Sequence, residues 1–385
     1  MIFAEPKLET ADERVLDLIL RQRERLKIHT QNNPRRWSGS LRRSTFARAI
    51  QGSNTIEGYN ATMEEAIAAV EQEPPIDETT ETWLAINGYR AAMTYIMQAA
   101  NDPFFELGKQ FLKSLHFMMT GFDLNSYPGQ WRPGYVSVVN RQTGSVVYEA
   151  PDVELVDPLV EELVDYLKQD HRASVAAAAM AHLNLTLIHP FKDGNGRMAR
   201  ALQTFVLSRD GILHPLFSSI EEWLGRNTDD YYRVLTEVAQ GRWTPQNDAL
   251  PWVRFCLKAH YQQASVLIRR TEEYGDLFDI IHGLIARHDL DERASLPLFN
   301  CALGLRLTNA RYQKEAAVGQ HTAGRDLKAL SDLGLIEPHG EKRGRYYVAA
   351  KRLSEIRARV RHSRIVQDPY DLVEQTQGTR RLPGL

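Results

Sequence analysis

Two apolar runs separated by a short polar loop dominate what this chain can become. Residues 173–188 are almost wholly apolar, residues 198–207 are nearly so, and between them lies His189-Pro190-Phe191-Lys192-Asp193-Gly194-Asn195-Gly196-Arg197-Met198-Ala199-Arg200. The spacing predicts two helices joined by a tight loop, whose second half opens the second helix. Helix starts carry free N–H groups and the positive end of the helix dipole, so the loop is a natural seat for phosphate. The run of 173–188 is interrupted by His182 and Asn184 and is too short to span a bilayer.

The rest of the 385-residue sequence is in keeping with a mainly α fold in several domains. Helical periodicity covers 9–28, 46–70 and 80–100, then 155–167, 174–188, 227–238 and 252–268. Strand-like sequence is scarce. It is concentrated in 135–148, where Val136, Val138, Val146 and Val147 flank the Gly144 turn and predict a hairpin. Between about 278 and 362 the order changes to short helix, strand, basic turn and strand, a winged-helix pattern. Breaks at Pro74-Pro75 and the polar stretch from 364 divide the chain into an N-terminal helical region (1–75), a central domain (78–265), the winged-helix region (278–362) and a tail (364–385) expected to be poorly ordered unless something captures it.

A formal net charge of −2 gives no global nucleic-acid signature. Cys256 and Cys301 lie far apart in apolar surroundings, which predicts buried thiols and neither a disulfide nor a zinc site. The N-terminus has no signal-peptide pattern, so a soluble cytoplasmic protein is expected.

Within the loop, His189 is a residue type that moves protons near neutral pH. Asp193 could cap the following helix or hold Mg²⁺. Gly194 and Gly196 let backbone N–H groups approach an anion. Asn195 could brace the loop or bind phosphate. Arg197 and Arg200 share a helix face and suit phosphate oxygens. The run resembles the signature of the Fic family, His-x-Phe-x-(Asp/Glu)-Gly-Asn-Gly-Arg-x-x-Arg, at every specified position.

That resemblance implies a protein adenylyltransferase, which moves AMP from ATP to a Ser, Thr or Tyr hydroxyl of a target protein. By that resemblance His189 is the general base and Asp193 the Mg²⁺ ligand. Gly194, Asn195, Gly196, Arg197, Met198, Ala199 and Arg200 form the ATP and phosphate site. Tyr231 and Tyr232 resemble a family pair beside the nucleotide. The 135–148 hairpin resembles a flap that aligns the target as an added strand, and Gly129-Gln130-Trp131-Arg132-Pro133-Gly134 resembles its lead-in. Gly196 stands where a phosphorylating branch carries Lys, which favours AMP transfer.

Ser53-Asn54-Thr55-Ile56-Glu57-Gly58 is by itself a weak signal, since Ser and Glu near a helix end often form a cap. Beside the loop it resembles the family's inhibitory motif, with Glu57 paired to Arg200 where a γ-phosphate would sit and Ser53 capping or bracing the helix. Two alternatives stay open: a DNA-binding regulator whose Fic-like domain senses a nucleotide, and transfer of UMP or phosphocholine. The basic stretch 340–364 keeps DNA in view as a partner of the winged helix, and a homodimer stays open. The same glutamate assists AMP removal in some relatives, which the residues neither require nor exclude.

Overall fold

The computed structural model describes every residue except 32–35, 75–79, 140–144, 170–173, 212, 342–343, 363–364 and 379–385. Five helices precede the hairpin: α1 (Thr10–Gln31), α2 (Ser38–Ile56), α3 (Met63–Glu71), α4 (Glu81–Asn101) and α5 (Lys109–Thr120). The hairpin is β1 (Ser137–Val139) and β2 (Val146–Glu149). Then come α6 (Val156–Lys168), α7 (Ser174–Ile188), α8 (Asn195–Ser208), α9 (Pro215–Ser218), α10 (Glu221–Arg226), α11 (Thr228–Ala239) and α12 (Leu250–Arg287). The chain divides into two units, the first of residues 1–28, 44–265 and 366–385, the second of 29–43 and 266–365.

In the first unit α7 is apolar on every side, with residues from Val175 to Ile188 buried save Thr186, so it must run through the middle of a bundle. It packs most extensively on α8 and also on α6, while α4 packs on α5 and α8. The boundary expected at residue 75 does not separate two cores. Ile2, Phe46 and Ile50 share one cluster with Ile188 and Phe191, and Phe3, Val15 and Ile56 share another with Val175 and Leu187. The N-terminal helices share their apolar clusters with the central bundle.

The helical stretch expected over 46–70 is broken. Gly58 takes φ 92°, a left-handed conformation that stops α2, and Thr62 starts α3 with a capping box. The Thr62 side chain accepts the Glu65 N–H, and the Glu65 carboxylate accepts the Thr62 N–H. Where α2 passes α10, glycine meets glycine: a Cβ on Gly52 would lie 2.3 Å from the Glu221 carbonyl oxygen, and one on Gly225 would lie 2.8 Å from the Gly52 Cα. The tail is captured: Pro369–Gly378 is helical, with Val373 buried and the Tyr370 hydroxyl donating to Asp12 at 2.9 Å.

The second unit contains α13 (Ser295–Ala302), β3 (Leu307–Thr308), α14 (Asn309–Ala316), α15 (Gln320–Asp332), β4 (Ile336–His339), β5 (Tyr346–Ala349) and α16 (Lys351–Arg359). Its three-stranded antiparallel sheet has the order β3-β5-β4, with Leu307 opposite Tyr347 and Ile336 opposite Ala349. Helix α12 continues past the expected end at 268 because no proline intervenes and Leu277, Phe278, Ile281, Leu284 and Ile285 keep an apolar stripe buried. Asp326 turns inward to Arg293, at 2.7 Å, and accepts the Tyr312 hydroxyl at 3.0 Å, leaving Arg325 exposed. Both cysteines are buried free thiols. Among the described residues no helix is long and apolar enough to cross a membrane.

Candidate active site

His189 follows α7 directly, and its N–H still donates to the Leu185 carbonyl at 3.1 Å. Its φ of 52° is left-handed, which turns the chain out of the helix at a non-glycine residue. The His189 Nδ1 lies 3.1 Å from the Thr186 carbonyl, a group that can only accept. Nδ1 therefore carries the proton and Nε2 keeps its lone pair. Burial holds the imidazole pKa below its usual value, and the Arg132 cation acts in the same sense; the Thr186 carbonyl, Glu57 and Asp193 oppose them. The side chain opens onto a cavity of about 160 Å³ lined also by Glu57, Gly196, Tyr231, Tyr232 and Val138.

The loop beyond His189 is braced from within. Asn195 accepts the Phe191 N–H at 2.9 Å and donates to the Phe191 carbonyl at 2.8 Å, so of its two expected roles it performs the bracing one. Phe191 is buried and stacks on His116, ring centroids 3.8 Å apart. His116 Nδ1 accepts the Gly129 N–H at 2.9 Å, which leaves Nε2–H to donate to the Asp193 carbonyl at 3.0 Å. Burial pushes this imidazole down to about 4, so it is a neutral strut. Gly194 caps α8 with φ 76°.

Arg197 and Arg200 come together as expected, each about 1% exposed. Arg197 Nη2 donates to Asp193 at 3.0 Å, and its guanidinium lies 5.2 Å from the Tyr59 ring centre. Arg200 Nη2 donates to Glu57 Oε1 at 2.6 Å and to the Ser53 carbonyl at 3.0 Å, while Nε donates to Ser53 Oγ at 2.8 Å. Burial is the largest influence on the Arg200 pKa and lowers it, but Glu57, Tyr231 and Tyr89 together more than offset it, and the guanidinium ends up harder to deprotonate than usual. Ser53 thus serves the arginine from inside the last turn of α2 and does not cap the helix. A Cβ at Gly196 would sit 2.3 Å from Glu57 Oε1, so this glycine makes room for the carboxylate.

Not every expected site residue faces ligand space. Met198 and Ala199 are fully buried in the apolar core, and the Met198 N–H is spent on the Gly194 carbonyl. Helical phase turns them away from the face that Arg197 and Arg200 share. Tyr231 is buried with its hydroxyl 3.0 Å from His182 Nε2, whereas Tyr232 is 45% exposed at the cavity's rim. In the hairpin, Ser137 pairs with Glu149 and Val138 with Tyr148, with a bulge after Val138. Val138 and Val147 line the cavity, Val146 is exposed, and Val136 precedes β1. Among the described residues β1 pairs with no strand on its other edge, and the expected turn at 140–144 lies outside the described residues.

Sequence reasoning missed Tyr59, His116, Arg132, Tyr89 and Glu221. Glu221 is buried, accepts the Tyr89 and Thr204 hydroxyls at 3.0 and 3.2 Å, and is pushed up to about 7 by burial. Among the described residues no three acidic, His or Cys side chains gather into a metal cage.

The segment from residue 106 to 207, which holds α5, the hairpin, the loop and nearly all of α8, matches the Fic/DOC family profile. In this segment the chain is similar to Fic domains. Among curated relatives it is 28% identical over 253 residues to Protein adenylyltransferase Fic of Drosophila virilis, covering 64% of this chain and 47% of that protein. It is 29% identical over 257 residues to the Drosophila yakuba protein of the same name, covering 64% and 46%. The chain thus spans about half the length of these relatives. In structure it is similar to a Fic family protein from Desulfovibrio desulfuricans G20, with TM-score 0.59 and 21% identity over 90% of this chain and 98% of that one. It is also similar to a Fic domain containing signaling protein from Bacteroides thetaiotaomicron VPI-5482, with TM-score 0.53 and 22% identity over 67% and 96%. The likeness is one of fold: a helical bundle with the motif loop between α7 and α8.

Proposed function

We propose that this protein is an ATP- and Mg²⁺-dependent protein adenylyltransferase, restrained by its own Glu57. The observation that carries the reading is a pair of buried guanidiniums with unused donors. Arg197 Nε and Nη1 and Arg200 Nη1 have no hydrogen-bond partner among the described residues. Buried donors of a cation left open in this way suit phosphate oxygens supplied by a ligand. Glu57, and not Arg200, lines the cavity, so the carboxylate occupies the arginine's ligand position. With Glu57 there, about 160 Å³ remains, below the roughly 300–1,000 Å³ typical of a ligand pocket.

In the proposed reaction, His189 Nε2 takes the proton of a Ser, Thr or Tyr hydroxyl as that oxygen bonds to the α-phosphorus of ATP. The bond to the bridging oxygen of the β-phosphate breaks, and pyrophosphate leaves with the electron pair. Arg197 and Arg200 bind the polyphosphate and orient it, and the open start of α8 offers its N–H groups. The edge of β1 would receive the target as an added strand. Asp193 fits Mg²⁺: its carboxylate is half exposed, one oxygen is held by Arg197, and Mg²⁺ is commonly held by one protein carboxylate together with substrate phosphates. The ion, when bound, would supply charge to the phosphates. Labelled ATP offered to Glu57→Gly, with and without His189→Ala, tests the assignment; labelling that survives loss of His189 overturns it. Mass spectrometry of the product separates AMP from UMP, phosphocholine or phosphate by added mass.

We read the second unit as a winged helix. A DNA-facing role is favoured by a groove of about 1070 Å³ whose lining includes Asn309, Gln313, Gln320, Lys328 and Arg345, with Asp332 as its opposing charge. Salt-sensitive, sequence-specific binding of duplex DNA checks it.

A further inference from the structure

Arg132 is about 1% exposed, yet among the described residues no carboxylate is bonded to it. Its guanidinium is satisfied by three backbone carbonyls. Nε donates to His189 at 2.9 Å, Nη1 to Gly134 at 2.7 Å, and Nη2 to Pro151. Its own N–H donates to the Pro190 carbonyl at 2.9 Å. Those carbonyls have distinct addresses. His189 and Pro190 begin the motif loop, Gly134 precedes β1, and Pro151 follows β2. One side chain therefore ties both roots of the hairpin to the backbone of the histidine. That histidine is one of few non-glycine residues with positive φ, a conformation that persists only where its surroundings hold it.

We propose that Arg132 is a positioning residue for His189, clamping the base's left-handed backbone and fixing the target-aligning hairpin in register with it. The inference rests on the reading of His189 as general base. It adds that base and flap are one piece, so the hydroxyl presented on β1 arrives at a fixed distance from Nε2. The cation also disfavours a second proton on the imidazole. The charged groups facing His189 are Arg132, which lowers its pKa, and Glu57 and Asp193, which raise it. With Glu57 removed, Arg132 and Asp193 are the ones that remain.

Two substitutions in the Glu57→Gly parent test the proposal, each read for ATP KM, kcat and the pH profile of AMP transfer. Arg132→Met removes the clamp and the charge. It should lower kcat by about 100-fold, the scale of a misplaced catalytic group, with little change in ATP KM, and should move the acid limb to higher pH. Arg132→Lys keeps the charge but cannot reach three carbonyls at once. It should lower kcat while leaving the acid limb in place. A folded Arg132→Met enzyme with the parent's kcat overturns the proposal, as does a loss confined to ATP KM. If Arg132→Met does not melt cooperatively, Arg132→Lys decides, and failure of both to fold assigns the residue to folding alone. His189→Ala in the same assay separates the two ideas, because AMP transfer that persists there rejects the base whatever Arg132 does.

Discussion

Replacing Glu57 by glycine should convert a restrained nucleotide site into an open one, and the contacts set the scale. The carboxylate accepts from Arg200 at 2.6 Å, with the guanidinium about 1% and the carboxylate 21% exposed. A hydrogen bond to a charged group in such surroundings contributes roughly 1.5–3 kcal/mol. ATP must displace it to reach Arg200. Since about 1.4 kcal/mol is tenfold in an equilibrium, Glu57→Gly should tighten ATP binding by about tenfold to about a hundredfold. AMP incorporation at low ATP should rise in parallel. The same change takes the carboxylate from a buried Arg200 that keeps its bonds to Ser53, so the ligand-free variant should melt lower and gain more from ATP than the parent does. Titration calorimetry with a non-hydrolysable ATP analogue, thermal melts with and without it, and labelling of the protein itself measure these effects. Glu57→Gln keeps the size and loses the charge, and it should fall between the two. Unchanged analogue affinity and unchanged labelling in Glu57→Gly would refute the reasoning.

Three further outcomes follow from particular contacts. Gly196→Ala puts a methyl within 2.3 Å of Glu57 Oε1, so its effect on analogue binding should depend on Glu57; a double-mutant cycle should show a coupling of about 1 kcal/mol, and additivity would refute it. Because the His189 pKa is lowered, its base form persists below the usual imidazole range and is lost only as pH falls through the lowered value. Glu57→Gly should therefore keep more than half its plateau rate at pH about 6.5, where an unshifted imidazole would be half protonated; a midpoint at or above that pH counts against it. Gly52→Ala forces a methyl into the Glu221 carbonyl and should cost about 1–3 kcal/mol in a denaturant melt, and an unchanged midpoint would refute the close packing.

The loop was legible in the sequence because chemistry there is compressed into adjacent positions with distinct residue types. The pairing of Arg200 with Glu57 was legible only through resemblance, since more than a hundred residues separate them. Met198 and Ala199 were misplaced because motif spacing says which residues are consecutive and not which way a helix turns them. Arg132 stood in the recognised lead-in to the hairpin, but neither it nor His116 showed in the sequence what it holds. Their partners are backbone carbonyls and N–H groups, which every residue carries and no sequence displays. The break at Gly58 was visible as a glycine, but a single glycine can also sit inside a helix. Capture of the tail was not readable in advance, because Tyr370 and Val373 offer so short an apolar stripe that only the bundle it lands on explains its order.

The bare crossing of α2 and α10 has a mechanical consequence. With only hydrogen on Gly52 and Gly225, two backbones touch, and neither rolling nor sliding of α2 is open without collision. Ser53, one residue on, is carried by the same rigid stretch and stays at Arg200. Glu57 lies past the helix's end, in a turn closed by its own N–H to the Asn54 carbonyl and by Gly58 to Thr55. The proposed restraint would thus behave as a latch on a fixed post: the post is α2, and the tongue is the few residues from Glu57 to Tyr59.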